Sequence, residues 1–328
     1  MRRGYSAAVD GPIAIDVGLF AQHGWVKVQV RADCPRAIIG LSTTDDHGPS
    51  ADAVRDATVE SGPDGRLITT IHGTRTATAA DGAESGDTGA GMPGAAPVEI
   101  TVVAPPGSSL VARTDSAHIG AIDLADVELK TASGNISVPT AGRVFAETTS
   151  GAVTIRRATD VTATSQSGAI AIGTSNRTTV RTASGDILLG APTGDVTAKS
   201  TSGSLTIRAL QGGTTRADTT SGAITIHATA NATIRASTTS GDLTITATPT
   251  TNLNLQTTTT TGQVSVPPAG SGCSTSSAGH SARPAFTCSR WCCGQFFVHQ
   301  PWGGVVRRVL VAQWISPSET WTEVRSLA

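Results

Sequence analysis

TTSGAITI, at residues 219–226, is one of eight octapeptides with the same pattern in this chain. The other seven are TASGNISV, TTSGAVTI, SQSGAIAI, TASGDILL, STSGSLTI, TTSGDLTI and TTTGQVSV. Successive glycines of the pattern are 17, 17, 17, 18, 19, 19 and 21 residues apart, a period typical of the coils of a solenoid. These glycines are Gly134, Gly151, Gly168, Gly185, Gly203, Gly222, Gly241 and Gly262.

Each octapeptide predicts a short strand with one buried face. The residues two and four places after the glycine, such as Ile224 and Ile226, are aliphatic in all eight copies. Before the glycine the alternation continues with its phase moved by one residue, as at Val127 and Leu129 before Gly134. A bend between two strands is therefore expected at every glycine. We expect positive φ there, which glycine adopts without steric cost.

The predicted fold class is all-β, a right-handed parallel β-solenoid of about nine short rungs with an N-terminal β cap. The rungs cover residues 110–266, and in the first of them Ala117 replaces the glycine. Residues 1–109 form the cap, with strand-like runs PIAIDV, WVKVQV, RLITTIH and VEITVVA, a Gly/Ala-rich loop at 78–97 and no convincing amphipathic helix. Residues 267–328 form a Cys/Trp-rich tail of different composition, either a disordered or frameshifted segment or a terminal cap.

The hydroxyl residues suggest a ladder inside the stack. Like residues of successive coils lie above one another, so their hydroxyl groups can bond along the stack or to the turn backbone. We expect the ladder at the serines immediately before the glycines, which are Ser133, Ser150, Ser167, Ser184, Ser202, Ser221 and Ser240. Outward positions carry both signs of charge, as at Glu128, Lys130, Glu147, Lys199, Arg216 and Arg235.

The composition limits the function classes. A net charge of -1 gives no basic patch, so no nucleic-acid partner is expected. No apolar run is long enough for a transmembrane segment, and no signal peptide follows the initial Met. We expect a cytoplasmic protein, with cell-surface association only if the start of the chain is mis-assigned.

A catalytic site cannot be assembled from the repeat. Asp186 and Asp242 occupy the same corner but lie three coils apart, about 14 Å. Glycosidase carboxylates lie roughly 5 to 9.5 Å apart. Asp195 and Asp218 fall on other faces without an aligned partner. The sequence predicts no enzyme, no catalytic residue and no cofactor.

Metal and ice sites also lack a consistent pattern. A calcium repeat needs an Asp in every coil, whereas the residue after the glycine varies between Asn, Ala, Asp, Ser and Gln. The spacing C-x3-C-C of the tail is not a usual zinc pattern, and Cys34 is read as a lone reduced thiol. A flat ice-binding face is a minor alternative, because charges and changing coil length interrupt the lattice around Thr149, Thr201, Thr220 and Thr239.

The segment VEITVVAPPGSSLVARTDS at residues 98–116, followed by the T-x-SG-x-I-x-I coils, resembles a known family. This is the DUF4097 group of bacterial β-strand-repeat proteins of unknown function that carry the label "putative adhesin". The resemblance covers approximately residues 10–266 and implies a β-solenoid without a known catalytic site. It also implies a connection to the cell envelope or its stress responses.

Three functions remain open from the sequence. The first is a non-enzymatic structural or interaction scaffold that presents an elongated polar surface to a protein, a glycan or its own copies. The second is a self-assembling filament, in which an open last rung near Val264 and Val266 pairs with the next molecule. The third is a carbohydrate-active β-helix enzyme, which would need two acidic residues within one rung of each other.

Overall fold

The computed structural model describes residues 1–62, 66–73 and 96–267, together with the backbone of three further strands, Ser274–Ser277, Phe297–Trp302 and Val305–Leu310. The fold is nearly all-β and 3% helical, and its parallel stacked coils form a β-solenoid of about eight turns. The predicted fold class is therefore confirmed. The predicted loop at 78–97 falls almost entirely outside the described residues, as do the side chains of the tail.

The chain divides into two compact units, residues 1–186 and 187–328. In the first unit the strands are β1 (Arg2–Ser6), β2 (Ala14–Phe20), β3 (Gly24–Val30), β4 (Ile38–Thr43), β5 (Thr58–Ser61), β6 (Leu67–His72), β7 (Val98–Ala104), β8 (Ser109–Thr114), β9 (His118–Thr131), β10 (Ile136–Thr148), β11 (Val153–Ser165), β12 (Ile170–Ser175) and β13 (Arg177–Thr182).

Each coil of the first unit contributes to two parallel sheets. We call them the leading sheet, whose strands precede the Ser-Gly bends, and the trailing sheet, whose strands follow them. Residues of equal offset lie beside one another: Val144 pairs with Val161 in the leading sheet, and Ile136 pairs with Val153 in the trailing sheet. The alternating aliphatic side chains are buried between the sheets, which explains the period of two in the sequence.

The N-terminal strands extend this stack out of chain order. β2 pairs in parallel with both β6 and β8, and β3 pairs in parallel with both β7 and β9. The β2–β3 coil therefore lies between the coil of β6 and β7 and the first repeat coil. β4 adds antiparallel to β7, β1 to β4 and β5 to β6, so the stack ends in antiparallel strands. All four strand-like runs of the predicted cap form strands.

A short helix covers the N-terminal end of the core, where the sequence indicated none. Helix α1 (Pro49–Arg55) buries Ser50, Ala51, Ala53 and Val54. Seven residues are too few for a helix that is stable alone, so packing must hold it. The Arg3 guanidinium donates hydrogen bonds to the carbonyl oxygens of Val54 and Ala57 at 3.1 and 3.3 Å, which ties β1 to the end of the helix.

The second unit continues the same coil design with longer turns. Its repeat coils bury the predicted aliphatic pairs from Ile187 and Leu189 to Leu243 and Ile245, whereas Val264 and Val266 are half-buried. Its strands are β14 (Ile187–Pro192), β15 (Val196–Ser200), β16 (Leu205–Leu210), β17 (Thr214–Thr219), β18 (Ile224–Ala228), β19 (Ala232–Ser240), β20 (Leu243–Ala247), β21 (Leu253–Thr261), β22 (Val264–Ser265), β23 (Ser274–Ser277), β24 (Phe297–Trp302) and β25 (Val305–Leu310).

Candidate interaction surface

The repeat glycines lie in the bends between the leading and trailing strands, but most of them do not have positive φ. Of the eight, only Gly262 has positive φ, at 153°. The expectation of positive φ is therefore wrong. The glycines are required because the bends stack closely: a Cβ on Gly151 would lie 1.8 Å from the carbonyl oxygen of Gly134, and a Cβ on Gly222 would lie 2.0 Å from that of Gly203.

The buried hydroxyl ladder lies three residues before each glycine, not one. The serines immediately before the glycines are exposed, which corrects the expectation that they point inward. In the coils from Gly134 to Gly222 the buried hydroxyl instead accepts the glycine N–H, as at Thr148 with Gly151 at 3.0 Å and Thr219 with Gly222 at 3.1 Å. In this way the bend satisfies a backbone donor that is buried away from water. The ladder residues are Thr131, Thr148, Ser165, Thr182, Ser200, Thr219, Thr238 and Thr259.

Acidic and amide side chains in the turns bind the backbone of the next coil. Asn135 Oδ1 accepts the Ala152 N–H at 2.9 Å, and Asp242 Oδ1 accepts the Gln263 N–H at 2.9 Å. Asp195 Oδ1 likewise accepts the Thr214 N–H at 3.0 Å. These side chains therefore have a structural role, which the sequence analysis did not predict.

A groove of about 550 Å³ runs along the stack of the first unit, beside the Ser-Gly bends. Its lining comes mainly from the residues four, three and two places before each bend. Because these positions recur in successive coils, the groove crosses several rungs. Its lining residues are Phe20, Arg113, Thr114, Lys130, Thr131, Ala132, Glu147, Thr148, Thr149, Thr164, Ser165, Gln166 and Ala183.

Charges of alternating sign connect four coils beside the groove, and three of these residues, Arg113, Lys130 and Glu147, line it. Arg113 lies 3.5 Å from Asp16 and 3.8 Å from Glu128. Lys130 lies 3.5 Å from Glu128 and 3.5 Å from Glu147. The Lys130 ammonium also lies 5.4 Å from the centre of the Phe145 ring, a cation–π distance. We call these five charged residues the charge network.

A second column of ion pairs lies on β9, β10, β11 and β13, nearer the start of the leading strands. The Arg143 guanidinium donates to both carboxylate oxygens of Asp126, at 2.6 and 2.8 Å, and these bonds raise the pKa of Arg143 above its usual value. Arg177 lies 3.7 Å from Asp160 in the next pair of coils. Both pairs are largely exposed, so they contribute more to the shape of the surface than to stability.

The structure brings together an acidic pair that the sequence interpretation did not find. Glu128 and Glu147 lie on adjacent coils, each 3.5 Å from the Lys130 ammonium, so their separation does not exceed the roughly 5 to 9.5 Å of glycosidase pairs. A glycosidase needs one carboxyl group that is kept protonated by an apolar pocket. Here both side chains are exposed, at 39% and 50%, so neither lies in such a pocket.

The other residues singled out from the sequence do not form a site. Asp218 pairs with Arg216 at 2.8 Å and with Lys199 at 3.9 Å, and Asp186 is exposed. Thr149 lines the groove, whereas Thr201, Thr220 and Thr239 are exposed in the second unit. The tail cysteines lie outside the described residues.

Among the residues that the structure describes, no group of three or more His, Cys, Asp or Glu side chains is placed to hold a metal ion. Within the same ranges, no helix is long and apolar enough to span a bilayer.

The family model described as Toastrack DUF4097 matches residues 98–267 of the chain. No curated protein matches the chain in sequence. Several solved structures are similar, including the following two. One is a "putative adhesin" from Bacteroides fragilis, with 16% identity and a TM-score of 0.32, over 81% of this chain and 97% of the other. The second is a "putative adhesin" from Parabacteroides merdae, with 11% identity and a TM-score of 0.33, over 85% and 96%.

Proposed function

The chain belongs to the Toastrack DUF4097 family, and from this premise we propose that it is a non-enzymatic, adhesin-like interaction scaffold. The groove of the first unit is its ligand-binding surface. The observation that carries this proposal is that one groove crosses successive coils of a stack whose strands are paired on both sides. Such a surface is fixed before a ligand arrives, so binding requires little ordering of the protein.

The scaffold role fits the groove better than catalysis does. The acidic residues nearest to the groove, Glu128 and Glu147, are held by Lys130 and are open to solvent. Small or polar side chains such as Ala132, Thr149 and Gln166 also line the groove, which gives contact area but no further acid or base. The connection to the cell envelope stays a prediction.

A tryptophan at residue 149 should block the groove without disturbing the coil. Thr149 is exposed on the groove wall, so Thr149→Trp fills the groove while leaving the buried core unchanged. We expect binding of a groove ligand to weaken at least about tenfold, since the indole occupies the space of the ligand. The measurement is binding of the purified full chain to immobilised polysaccharides and peptides, followed by biolayer interferometry.

The matched control is Thr154→Trp. Thr154 is an exposed threonine in the trailing strand that follows the same bend, outside the groove. The control variant should bind its ligand as the original protein does. Equal binding by both tryptophan variants would contradict the assignment of the groove.

Self-association is a second candidate function, favoured by the end of the described solenoid. β22 has two residues and pairs with β20, and Val264 and Val266 are half-buried. An incompletely covered rung can pair with a second molecule. If this is the function, sedimentation velocity of the full chain should show a mass that rises with concentration, and Val264→Lys should return it to a monomer. A monomer at every concentration would contradict this candidate.

A further inference from the structure

We propose that the ligand of the groove is an extended, uncharged glycan chain that lies along the stack with about one sugar ring per coil. The inference rests on the proposed function, because it assigns a chemical class to the ligand of that groove. Three observations support it: the spacing of the coils, the pairing of the charges in and beside the groove, and the pairing of the strands beneath it on both sides.

The groove lies where the coils have a constant length. From Ala117 to Gly185 the repeat positions are 17 residues apart, whereas the coils of the second unit are longer. The bends in this region repeat the same close approach. A Cβ added to Gly151 would lie 1.8 Å from the carbonyl oxygen of Gly134, and a Cβ added to Gly168 would lie 1.8 Å from that of Gly151. Equal coils keep equivalent side chains in straight columns. The groove therefore offers a one-dimensional lattice with a period of about 4.8 Å.

This period matches a sugar chain better than a peptide. One pyranose ring of an extended glycan advances by about the height of one coil, so successive rings can lie beside successive coils, and every second ring of a β-1,4-linked chain presents the same edge to the groove. An extended peptide repeats its side chains on one face every two residues, about 6.8 Å, so these side chains would not stay in register with coils about 4.8 Å apart.

The strands beneath the groove also cannot accept a peptide by strand addition. β10 pairs with β9 on one side and with β11 on the other, and β9 pairs with β8. Their backbone N–H and C=O groups are used within the sheet. A peptide in the groove would lack the main-chain hydrogen bonds on which strand addition depends. Recognition must therefore come from side chains.

The side chains available are suited to hydroxyl groups. Along the charge network, the donors Arg113 and Lys130 alternate with the acceptors Asp16, Glu128 and Glu147. A sugar hydroxyl can donate to a carboxylate and accept from a cation at the same time. Of the charged residues that line the groove, Arg113 is already paired with Asp16 and Glu128 beside it, and Lys130 is paired with Glu128 and with the lining Glu147. Neither a polyanion nor a polycation would therefore find unpaired charges of the opposite sign there. An uncharged polyhydroxylated chain fits this pattern.

Phe20 provides an apolar platform at one end of the groove. Its ring stacks on His72, with centroids 5.5 Å apart and an angle of 20° between the planes. This contact fixes the orientation of the ring, so its other face can take the C–H face of a terminal pyranose. The end of the glycan chain would be placed beside the coil of β2.

The test is titration of the full chain with uncharged oligosaccharides of increasing length. The probes are β-1,4-linked glucose, mannose and N-acetylglucosamine chains from disaccharide to hexasaccharide, measured by isothermal titration calorimetry. For at least one sugar type, Kd should fall with each added ring until the lattice of four to five coils, about 20 Å, is filled. Thr149→Trp should weaken binding at least about tenfold, and Thr154→Trp should not.

The remaining probes separate failure of this inference from failure of the proposed function. Oligogalacturonate and an extended polar peptide serve as the anionic and peptide probes. If either binds in a way that Thr149→Trp abolishes, while no uncharged oligosaccharide binds at millimolar concentration, the groove is a binding site but its ligand is not an uncharged glycan. If uncharged glycans bind equally to both tryptophan variants, the groove itself is wrongly assigned. If none of these probes binds the original protein, the glycan inference is overturned.

Discussion

Replacing Gly222 with alanine is expected to cost at least about 3 kcal/mol of the free energy of unfolding, almost as much as replacing it with valine. The reason is the position of the Cβ atom itself, which would lie 2.0 Å from the carbonyl oxygen of Gly203 and 2.7 Å from the carbonyl carbon. That oxygen also accepts a hydrogen bond from the Thr219 hydroxyl at 3.5 Å, so moving it disturbs the turn below. Urea unfolding followed by circular dichroism measures the effect.

Two other substitutions distinguish this explanation from strain at positive φ. Asparagine tolerates positive φ, so Gly222→Asn would be mild if backbone conformation were the cause, and it should be as damaging as alanine if the close stacking is. The control is Gly120→Ala in β9, where an added Cβ would meet its nearest atom at 3.9 Å. A stable Gly222→Asn protein would contradict the stacking explanation.

The solenoid could be predicted because its determinants repeat locally. Every coil must bury two aliphatic residues after the bend, such as Ile136 and Val138, and these positions are visible in the sequence at a fixed offset. The predicted reason for the glycine, positive φ, was wrong, because the glycine is required by the short distance between neighbouring bends. A single coil in the sequence carries no information on how closely the next one lies.

The N-terminal part shows where local patterns are insufficient. The runs that form β2, β3, β6 and β7 were recognisable, but the place of the β2–β3 coil between two later coils depends on pairings distant in sequence. Helix α1 has seven residues and depends on its contacts with the core. Its sequence therefore has little helical signal of its own.

The groove could have been found only by reading the outward positions down the stack. Arg113, Lys130, Glu147 and Thr164 share an offset from the bend but not a residue type, so alignment by similarity gives them no weight. Glu128 and Glu147 lie on adjacent coils at different offsets from the bend, so a comparison of equal offsets missed this acidic pair. Surface function in a solenoid is encoded across coils, whereas the fold is encoded within each one.

Replacing Thr219 with valine is expected to lower the free energy of unfolding by about 1 to 3 kcal/mol, although the two side chains have nearly the same shape. The Thr219 hydroxyl accepts the Gly222 N–H at 3.1 Å and donates to the Gly203 carbonyl oxygen at 3.5 Å. Valine leaves this buried N–H without a partner and removes the link between two successive bends. The added methyl group does not compensate, because the side chain is already buried in the original protein.

Thr219→Ser should retain most of the stability, since Ser165 and Ser200 accept the corresponding glycine N–H groups at 2.8 Å in their own coils. Thr225→Val in β18 is the matched control: this threonine is exposed on the outward face, where the same exchange should change stability by no more than about 0.5 kcal/mol. Amide hydrogen exchange adds a local measure, because the Gly222 amide should exchange faster in the Thr219→Val protein than in the serine variant. If Thr219→Val were as stable as the control, the hydroxyl ladder would be a consequence of coil stacking and not one of its causes.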